Sequence, residues 1–234
     1  MNEPKLLAEC ADGVLTLTLN RPSKLNAIDN ELAEALRNLL CDAATDPSVR
    51  VIRLRGSGRA FCAGRDVTEA PTERDLELVQ AVARLIVQSP KPVVAAVHGW
   101  TVGAGLEWAL DADILVASED TRFKLPEASI GVFVTGGLVA TLPAAIGLSR
   151  AKAMMLLGEE VNAHQACEWG LVYKTVAATE LDKVSWQACE RLAALRPEVA
   201  AHFKRVLNLF GRQDFEGALA EESSVQRTLS SSDA

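Results

Sequence analysis

One run constrains this chain more than any other: Lys91-Pro92-Val93-Val94-Ala95-Ala96-Val97-His98-Gly99-Trp100-Thr101-Val102-Gly103-Ala104-Gly105-Leu106-Glu107, continuing to Asp111. Val93 to Val97 is a short apolar run behind a proline, which reads as a buried strand. His98 to Val102 reads as a turn, and Gly103-Ala104-Gly105 opens a helix whose first turn carries Glu107. A strand that passes through small residues into a helix leaves the first helical N–H groups unpaired, with the positive end of the helix dipole behind them. Small side chains let a ligand approach that backbone closely. Glu107 follows Ala104 by about one turn, so a group held by the Ala104 N–H could also meet the Glu107 carboxylate. An acid in a first helical turn also simply suits the dipole, and the run alone leaves both readings open.

The preceding residues supply strands and helices in alternation. Val14 to Leu19 alternates apolar and polar, as a strand does, and Asn20-Arg21-Pro22-Ser23-Lys24 is a turn. A helix is expected from about Asn30 to Ala44, then a strand from Val49 to Leu54 and a loop from Gly56 to Asp66. Thr72 to Gln88 is helical, and Val67 to Asp75 reads as a loop or a lid. Ile114 to Ala117 and Thr121 to Lys124 are short strands, and Val172 to Val176 is another. The rest of the second half reads as helix, over 138–146, 149–157, 163–169, 179–195 and 197–210, with Ser230 to Ala234 expected to fray. An α/β core of strand–strand–helix units, residues 1–175, is therefore expected to precede a helical region, 176–234.

Composition narrows the function. The chain has 24 basic and 31 acidic residues in 234, a net charge of −7, which argues against bulk nucleic-acid or anionic-membrane binding. Five scattered cysteines, odd in number and without a Cys-x-x-Cys pair, suggest a reducing compartment and neither a disulfide framework nor a zinc site. The apolar region from Val93 to Ala117 is broken by His98, Glu107, Asp111 and Asp113, so no membrane span is expected. With no signal peptide at the N-terminus, the expected location is cytoplasmic.

Two small-residue loops each follow a strand: Phe61-Cys62-Ala63-Gly64 and Gly103-Ala104-Gly105. If both reach one cavity, the N–H groups of Cys62 and Ala104 form a two-donor oxyanion hole for a carbonyl oxygen that gains negative charge. Cys62 as a nucleophile would need a nearby base that nothing in the sequence assigns, so its N–H is the expected contribution. Glu127, after Pro126 and before Gly131, could reach the same crevice as Glu107. Two carboxylates sharing one proton can deliver it to one carbon while activating water for its neighbour. His98 reads as structural, and Trp100 and Trp108 as core or pocket wall.

Taken in order, Asn20-Arg21-Pro22 with Asn26-Ala27, Ala60-Phe61-Cys62-Ala63-Gly64-Arg65-Asp66, Lys91 to Gly99, Gly103 to Glu107 with Asp111-Ala112-Asp113, and Phe123-Lys124-Leu125-Pro126-Glu127 with Gly131 resemble the enoyl-CoA hydratase/isomerase (crotonase) superfamily over nearly the whole chain. The resemblance implies a crotonase-like spiral of ββα units and a C-terminal helical trimerisation region, assembled as a trimer or a dimer of trimers. It implies an acyl-CoA thioester as substrate, with coenzyme A part of that substrate and no separate cofactor or metal. Cys62 and Ala104 would supply the oxyanion hole, and Glu107 and Glu127 the acid/base pair that adds water across a 2-enoyl thioester. Relatives that only isomerise or cleave tend to lack the first carboxylate. Lys24, Leu25 and the backbone of Cys62, Ala63, Gly64, Arg65 and Asp66 match positions that line the CoA site.

Arg50, Arg53, Arg55, Arg59 and Arg65 fall in an acid-free stretch, and one or two of them are expected on the CoA phosphates. Phe133 and Val134 stand where the family often has proline and glycine, and are expected to reshape the acyl wall. The chain stops early after its last expected helix, so the tail covering that pocket is expected to be reduced. The alternatives are an enoyl-CoA isomerase using Glu127 alone or another crotonase-type lyase or hydrolase. More remote are a ClpP-like peptidase built on Ser129 with His98, His164 or His202, and a non-catalytic acyl-CoA binder.

Overall fold

In the computed structural model, which describes residues 3–68, 72–212 and 214–232, the alternating run Val14–Leu19 becomes β2 and pairs antiparallel with β1, Leu6–Ala11. Asp12 and Gly13 link them, both at positive φ (51° and 77°), the two-residue hairpin that an Asp-Gly pair favours. Next to β2, in parallel, run β3 (Val51–Gly56), β5 (Val93–Val97), β7 (Ile114–Ser118) and β10 (Lys174–Val176), in the order β1-β2-β3-β5-β7-β10. β5 is buried at every position, as its unbroken apolar run requires.

A smaller sheet runs β4 (Ala60–Cys62), β6 (Trp100–Val102), β8 (Arg122–Lys124) and β9 (Val161–Asn162). β6 corrects the expectation of a turn at His98 to Val102; three residues are too few for periodicity to show. β3, β5 and β7 are each followed by a short strand of the second sheet and then by a helical segment. α1 (Asn30–Thr45) follows β2, α2 (Glu73–Gln88) follows β3–β4, and α3 (Ala104–Asp111) follows β5–β6. This is the expected spiral of ββα units.

Asn26, fully buried, holds the first turn of that spiral. Its Oδ1 accepts from Arg21 N at 2.8 Å, and its Nδ2 faces the carbonyls of Ser57, Ala60 and Phe61 at 2.8 to 3.1 Å. The Asn20-Arg21-Pro22…Asn26 pattern is therefore a brace for the loop before β4.

The second half adds α4 (Leu138–Ile146), α5 (Leu148–Leu157), α6 (Ala163–Trp169), α7 (Leu181–Ala193), α8 (Pro197–Gly211) and α9 (Phe215–Ser232). α7 packs on the sheet face opposite α1 to α3, with Cys189 against Val14, Val51 and Val94. Arg53, 3% exposed, reaches Asp182 Oδ1 at 2.5 Å and Ser185 Oγ at 2.8 Å, and Arg55 shares Asp182 at 2.7 Å. Arg50 bonds the Leu195 carbonyl. These three arginines fasten α7 to the sheet, which is why that stretch carries no acid of its own.

α9 lies within the expected helical region but beyond the last helix named for it, 197–210, and it continues through Ser230 to Ser232, where fraying was expected; Asp233 and Ala234 lie outside the described residues. Among the described residues no helix is long and apolar enough to cross a membrane.

Candidate active site

The two small-residue loops meet. A Cβ on Gly64 would lie 3.0 Å from the Val102 carbonyl and 3.6 Å from Gly103 Cα, so only glycine permits the approach. Gly64 and Gly103 both have positive φ, 87° and 52°. Between the loops opens a cleft of about 730 Å³ lined by Ala63 to Thr68, Val102 to Ala104, Glu107, Glu127 and Phe133, among others.

Which N–H groups face this cleft follows from what the others already bond. Ala63 N donates to Leu25 O at 3.0 Å, and Asp66 N to Ile28 O at 2.8 Å. The Gly64 N–H faces the Cys62 sulfur. Arg65 N has no acceptor among the described residues, and neither has Ala104 N at the start of α3, where the first helical bond recorded is Glu107 N to Gly103 O. Cys62, expected as the first donor, is buried in β4 and absent from the cleft lining. Its thiol donates to Asn26 O at 3.1 Å, and burial pushes its pKa up to about 12, so it is no nucleophile. The N–H groups left without acceptors at the cleft are thus those of Arg65 and Ala104, and Cys62 is not among them.

Glu107 is 2% exposed. Its Oε2 accepts from Thr135 N at 3.0 Å and from Gly136 N. A Cβ on Gly136 would come within 2.9 Å of that oxygen, which explains the glycine. Burial raises the Glu107 pKa well above the usual carboxylate range, the charges of Glu222 and Glu127 add to the rise, and the Gly136 and Thr135 N–H groups oppose it. Glu127 opens a 3-10 turn, Glu127–Ile130, closed by Gly131 in the left-handed region. Burial pushes its pKa up to about 7, and Oε2 is buried without a hydrogen-bond partner among the described residues. Burial and the neighbouring carboxylate both oppose ionisation of Glu107, and burial opposes that of Glu127, so the pair favours retaining a proton.

Of the expected CoA-site residues, Ala63, Gly64, Arg65 and Asp66 line the cleft. Asp66 is held by Arg21 at 3.0 Å, and Arg65 pairs with Asp75 at 3.0 Å. Leu25 lines a separate surface cavity with Arg59 and Trp100, and Lys24 lines neither. Val134 turns into the core at 4% exposure, whereas Phe133 lines the cleft with Leu76, Ile130 and Val132. Trp108 is core, its Nε1 donating to Val79 O, and His98 bonds Gly58 O. Ser129 donates to Pro126 O, and no histidine bonds it among the described residues. Within the expected lid, residues 69–71 lie outside the described residues, while Thr72 and Asp75 form a capping box that starts α2.

α9 was not expected at the site, yet Gln226, Arg227 and Ser230 form the far rim of the cleft, and Arg227 pairs with Glu73 across it at 2.5 Å. The signal was present as helical spacing of Phe215, Leu219, Glu222 and Gln226, but half of these are polar.

The protein-family description "Enoyl-CoA hydratase/isomerase" matches residues 9–234. A 1,2-epoxyphenylacetyl-CoA isomerase of Escherichia coli K12 is 32% identical, covering 95% of this chain and 88% of its own. A 2,3-dehydroadipyl-CoA hydratase of the same strain is 35% identical, covering 98% and 91%. The crystal structure of an enoyl-CoA hydratase from Mycobacterium avium subsp. paratuberculosis K-10 superposes with a TM-score of 0.91 at 33% identity, covering 96% of this chain and 89% of that one. With these matches spanning both sheets, both loops and both glutamates, the chain belongs to the enoyl-CoA hydratase/isomerase family.

Proposed function

We propose that the protein is a hydratase that adds water across the double bond of a 2-enoyl-CoA thioester. The observation that carries this reading is the presence of two largely buried acids, Glu107 and Glu127, lining one cleft beside two N–H groups without acceptors among the described residues, those of Arg65 and Ala104. The thioester oxygen rests between the two N–H donors, which stabilise it as negative charge develops; each donor is worth on the order of 3 kcal/mol in such holes. Glu107, held by two N–H groups that favour its charged form, takes a proton from water as the water oxygen bonds C3. Glu127, whose unpartnered oxygen favours the protonated form, gives its proton to C2. The π electrons pass through the thioester enolate, and the protonation states of the two acids exchange once per addition.

Coenzyme A enters as part of the substrate, along the Ala63–Asp66 backbone. The exposed apolar face of α8, with Val199, Phe203, Val206 and Phe210, is assigned to contact between copies in a trimer or dimer of trimers.

Isomerisation is the second reading, favoured by a 31% identical relative named trans-2-decenoyl-(acyl-carrier-protein) isomerase. It moves one proton between two carbons and needs one acid. Loss of the 2-enoyl absorbance on a panel of short, long, branched and aryl thioesters tests hydration. Survival of most activity in Glu107→Gln would instead favour the isomerase.

A further inference from the structure

Helix α4 begins without a cap of its own. Its N-cap position is Gly137, at φ 86°, which offers no side chain, and the first-turn N–H groups of a helix need acceptors. Glu222 supplies them from α9. It is fully buried; its Oε2 accepts from Gly137 N at 2.7 Å and its Oε1 from Val139 N at 2.9 Å. The two N–H groups immediately before these, on Thr135 and Gly136, go to Glu107 Oε2. Residues 135–139 are thus strung between two carboxylates, one on α3 and one on α9. One turn further along α9, Gln226 Oε1 accepts from Phe133 N at 2.7 Å and fastens the start of the same segment.

We infer that Glu222 is a positioning residue for Glu107: from α9 it fixes the 135–139 backbone that grips the Glu107 carboxylate. The kinetic consequence rests on the hydratase reading; the titration consequence does not.

The surroundings leave the two acids facing each other. Between Val132 and Gly147 no residue is charged. α3 contributes Glu107 and Asp111, and Asp111 is taken by Arg212, with Lys204 of α8 adding positive charge on that side. Glu127 faces Glu107 from the 3-10 turn. α2 presents the neutral Gln80 to Leu219 O and Ser223, while its Glu73 and Arg84 pair at the surface with Arg227 and Glu216 of α9. Glu221, the neighbour on α9, is exposed. Burial pushes Glu222 itself up to about 7, against the N–H groups of Val139, Gly137 and Leu138 that favour its charge. As Glu222 ionises it discourages ionisation of Glu107, so the two titrate as a coupled system.

The test compares the full-length wild type with Glu222→Gln, Glu222→Asp and Gln80→Leu, the last loosening α9 from α2 outside the cleft. The first readout is the carboxyl carbon NMR titration of Glu107, assigned by its loss in Glu107→Gln. The second is kcat and KM against pH on a short 2-enoyl-CoA. Glu222→Gln removes the charge and one of the two acceptors. Its Glu107 titration and its kcat profile both move to lower pH, and kcat falls roughly tenfold with KM little changed. Glu222→Asp keeps the charge on a shorter stem, so the titration holds its position while kcat falls. Gln80→Leu lowers the melting temperature and moves neither. A Glu107 titration in Glu222→Gln that coincides with wild type overturns the inference. If Glu222→Gln does not fold, an unchanged kcat in Glu222→Asp overturns it. A wild type that turns over no enoyl thioester sinks the hydratase reading, and the NMR titration still decides the role of Glu222.

Discussion

Helix α3 carries buried acids near both ends, and they are held in opposite ways. In its first turn Glu107 meets backbone N–H groups and two further carboxylates, Glu127 and Glu222, with no cation bonded to any of the three among the described residues. At its last residue Asp111, fully buried, pairs with Arg212 at 3.0 Å, and two residues on Asp113 pairs with the buried Lys204 at 2.9 Å. Lys204 and Arg212 also donate to the carbonyls of Ile86, Lys91, Leu110 and Asp111, tying α8 and the residue after it to the ends of α2 and α3. Burial pushes Asp111 up and Arg212 pulls it back, whereas at Glu107 both burial and its charged neighbours push upward. A cation would lock Glu107 in its ionised form and spoil it as a partner in proton transfer. The acids at the far end move no proton, so a fixed counter-charge there costs no function and orders the chain.

The sharpest way to break this contrast is to remove an acid from the site. Glu107→Gln and Glu127→Gln are each expected to lower kcat for hydration by roughly 10³-fold, equivalent to about 4 kcal/mol of barrier, while the protein still folds. Steady-state rates on a short 2-enoyl-CoA, with circular dichroism for the fold, check both halves. Retention of full activity by either variant would remove the two-acid account.

At the far end the same kind of change should act on stability. Arg212→Met strands the Asp111 carboxyl in the core and is expected to cost about 3 kcal/mol of unfolding free energy. Urea unfolding reads this directly, and kcat of the protein that remains folded should change little. A variant as stable as wild type would show that the ion pair is not what holds α8 in place.

A smaller, geometric change sharpens the site half. Gly103 has φ 52°, and a Cβ there would approach Glu127 Oε1 to 2.6 Å. Gly103→Ala should therefore displace the carboxylate and lower kcat by about tenfold to a hundredfold, with a modest fall in melting temperature. Rates equal to wild type would mean that Glu127 has room to move without cost.

These contrasts were unevenly legible in the sequence. Glu107 could be read because its spacing from Ala104 is local: one helical turn places carboxylate and N–H together. The identity of the second N–H donor was not legible. Whether Cys62 or Arg65 faces the cleft depends on Leu25 and Ile28 occupying the N–H groups of Ala63 and Asp66, pairings between residues nearly forty positions apart. The basic run from Arg50 to Arg55 looked like a phosphate patch because its acid, Asp182, arrives more than 120 residues later. β1 escaped notice because it is an edge strand, exposed at every position after Leu6, and so lacks a two-residue alternation. α9 escaped because the residues it buries include Glu222, Ser223 and Gln226. Glu222 is buried against the uncapped start of α4, Ser223 against Gln80 and Gln226 against the Phe133 N–H, partners that no local pattern announces. The ββα core, by contrast, was readable from apolar strands and helix faces that each carry their own signal.

The smallest effect expected is also the one that most directly separates the two ends of α3. Glu127 has a folded pKa of about 7 against an ordinary value of 4.5. Between those values the folded chain holds a proton that the unfolded chain has released, so stability falls as pH rises through the window. The penalty is absent below about 4.5 and complete above about 7. Glu127→Gln removes it, and the variant should unfold later than wild type at pH 8, by on the order of 1 kcal/mol, while matching it near pH 4.5. Asp111, pushed up to about 8 by burial despite Arg212, carries a penalty of the same sign, so the contrast lies in its partner: Arg212→Met strands that acid and should unfold earlier than wild type at pH 8. Denaturant midpoints for the three proteins at both pH values decide the matter. Stabilisation by both substitutions, or by neither, would mean that the two ends of the helix do not differ in the way their partners suggest.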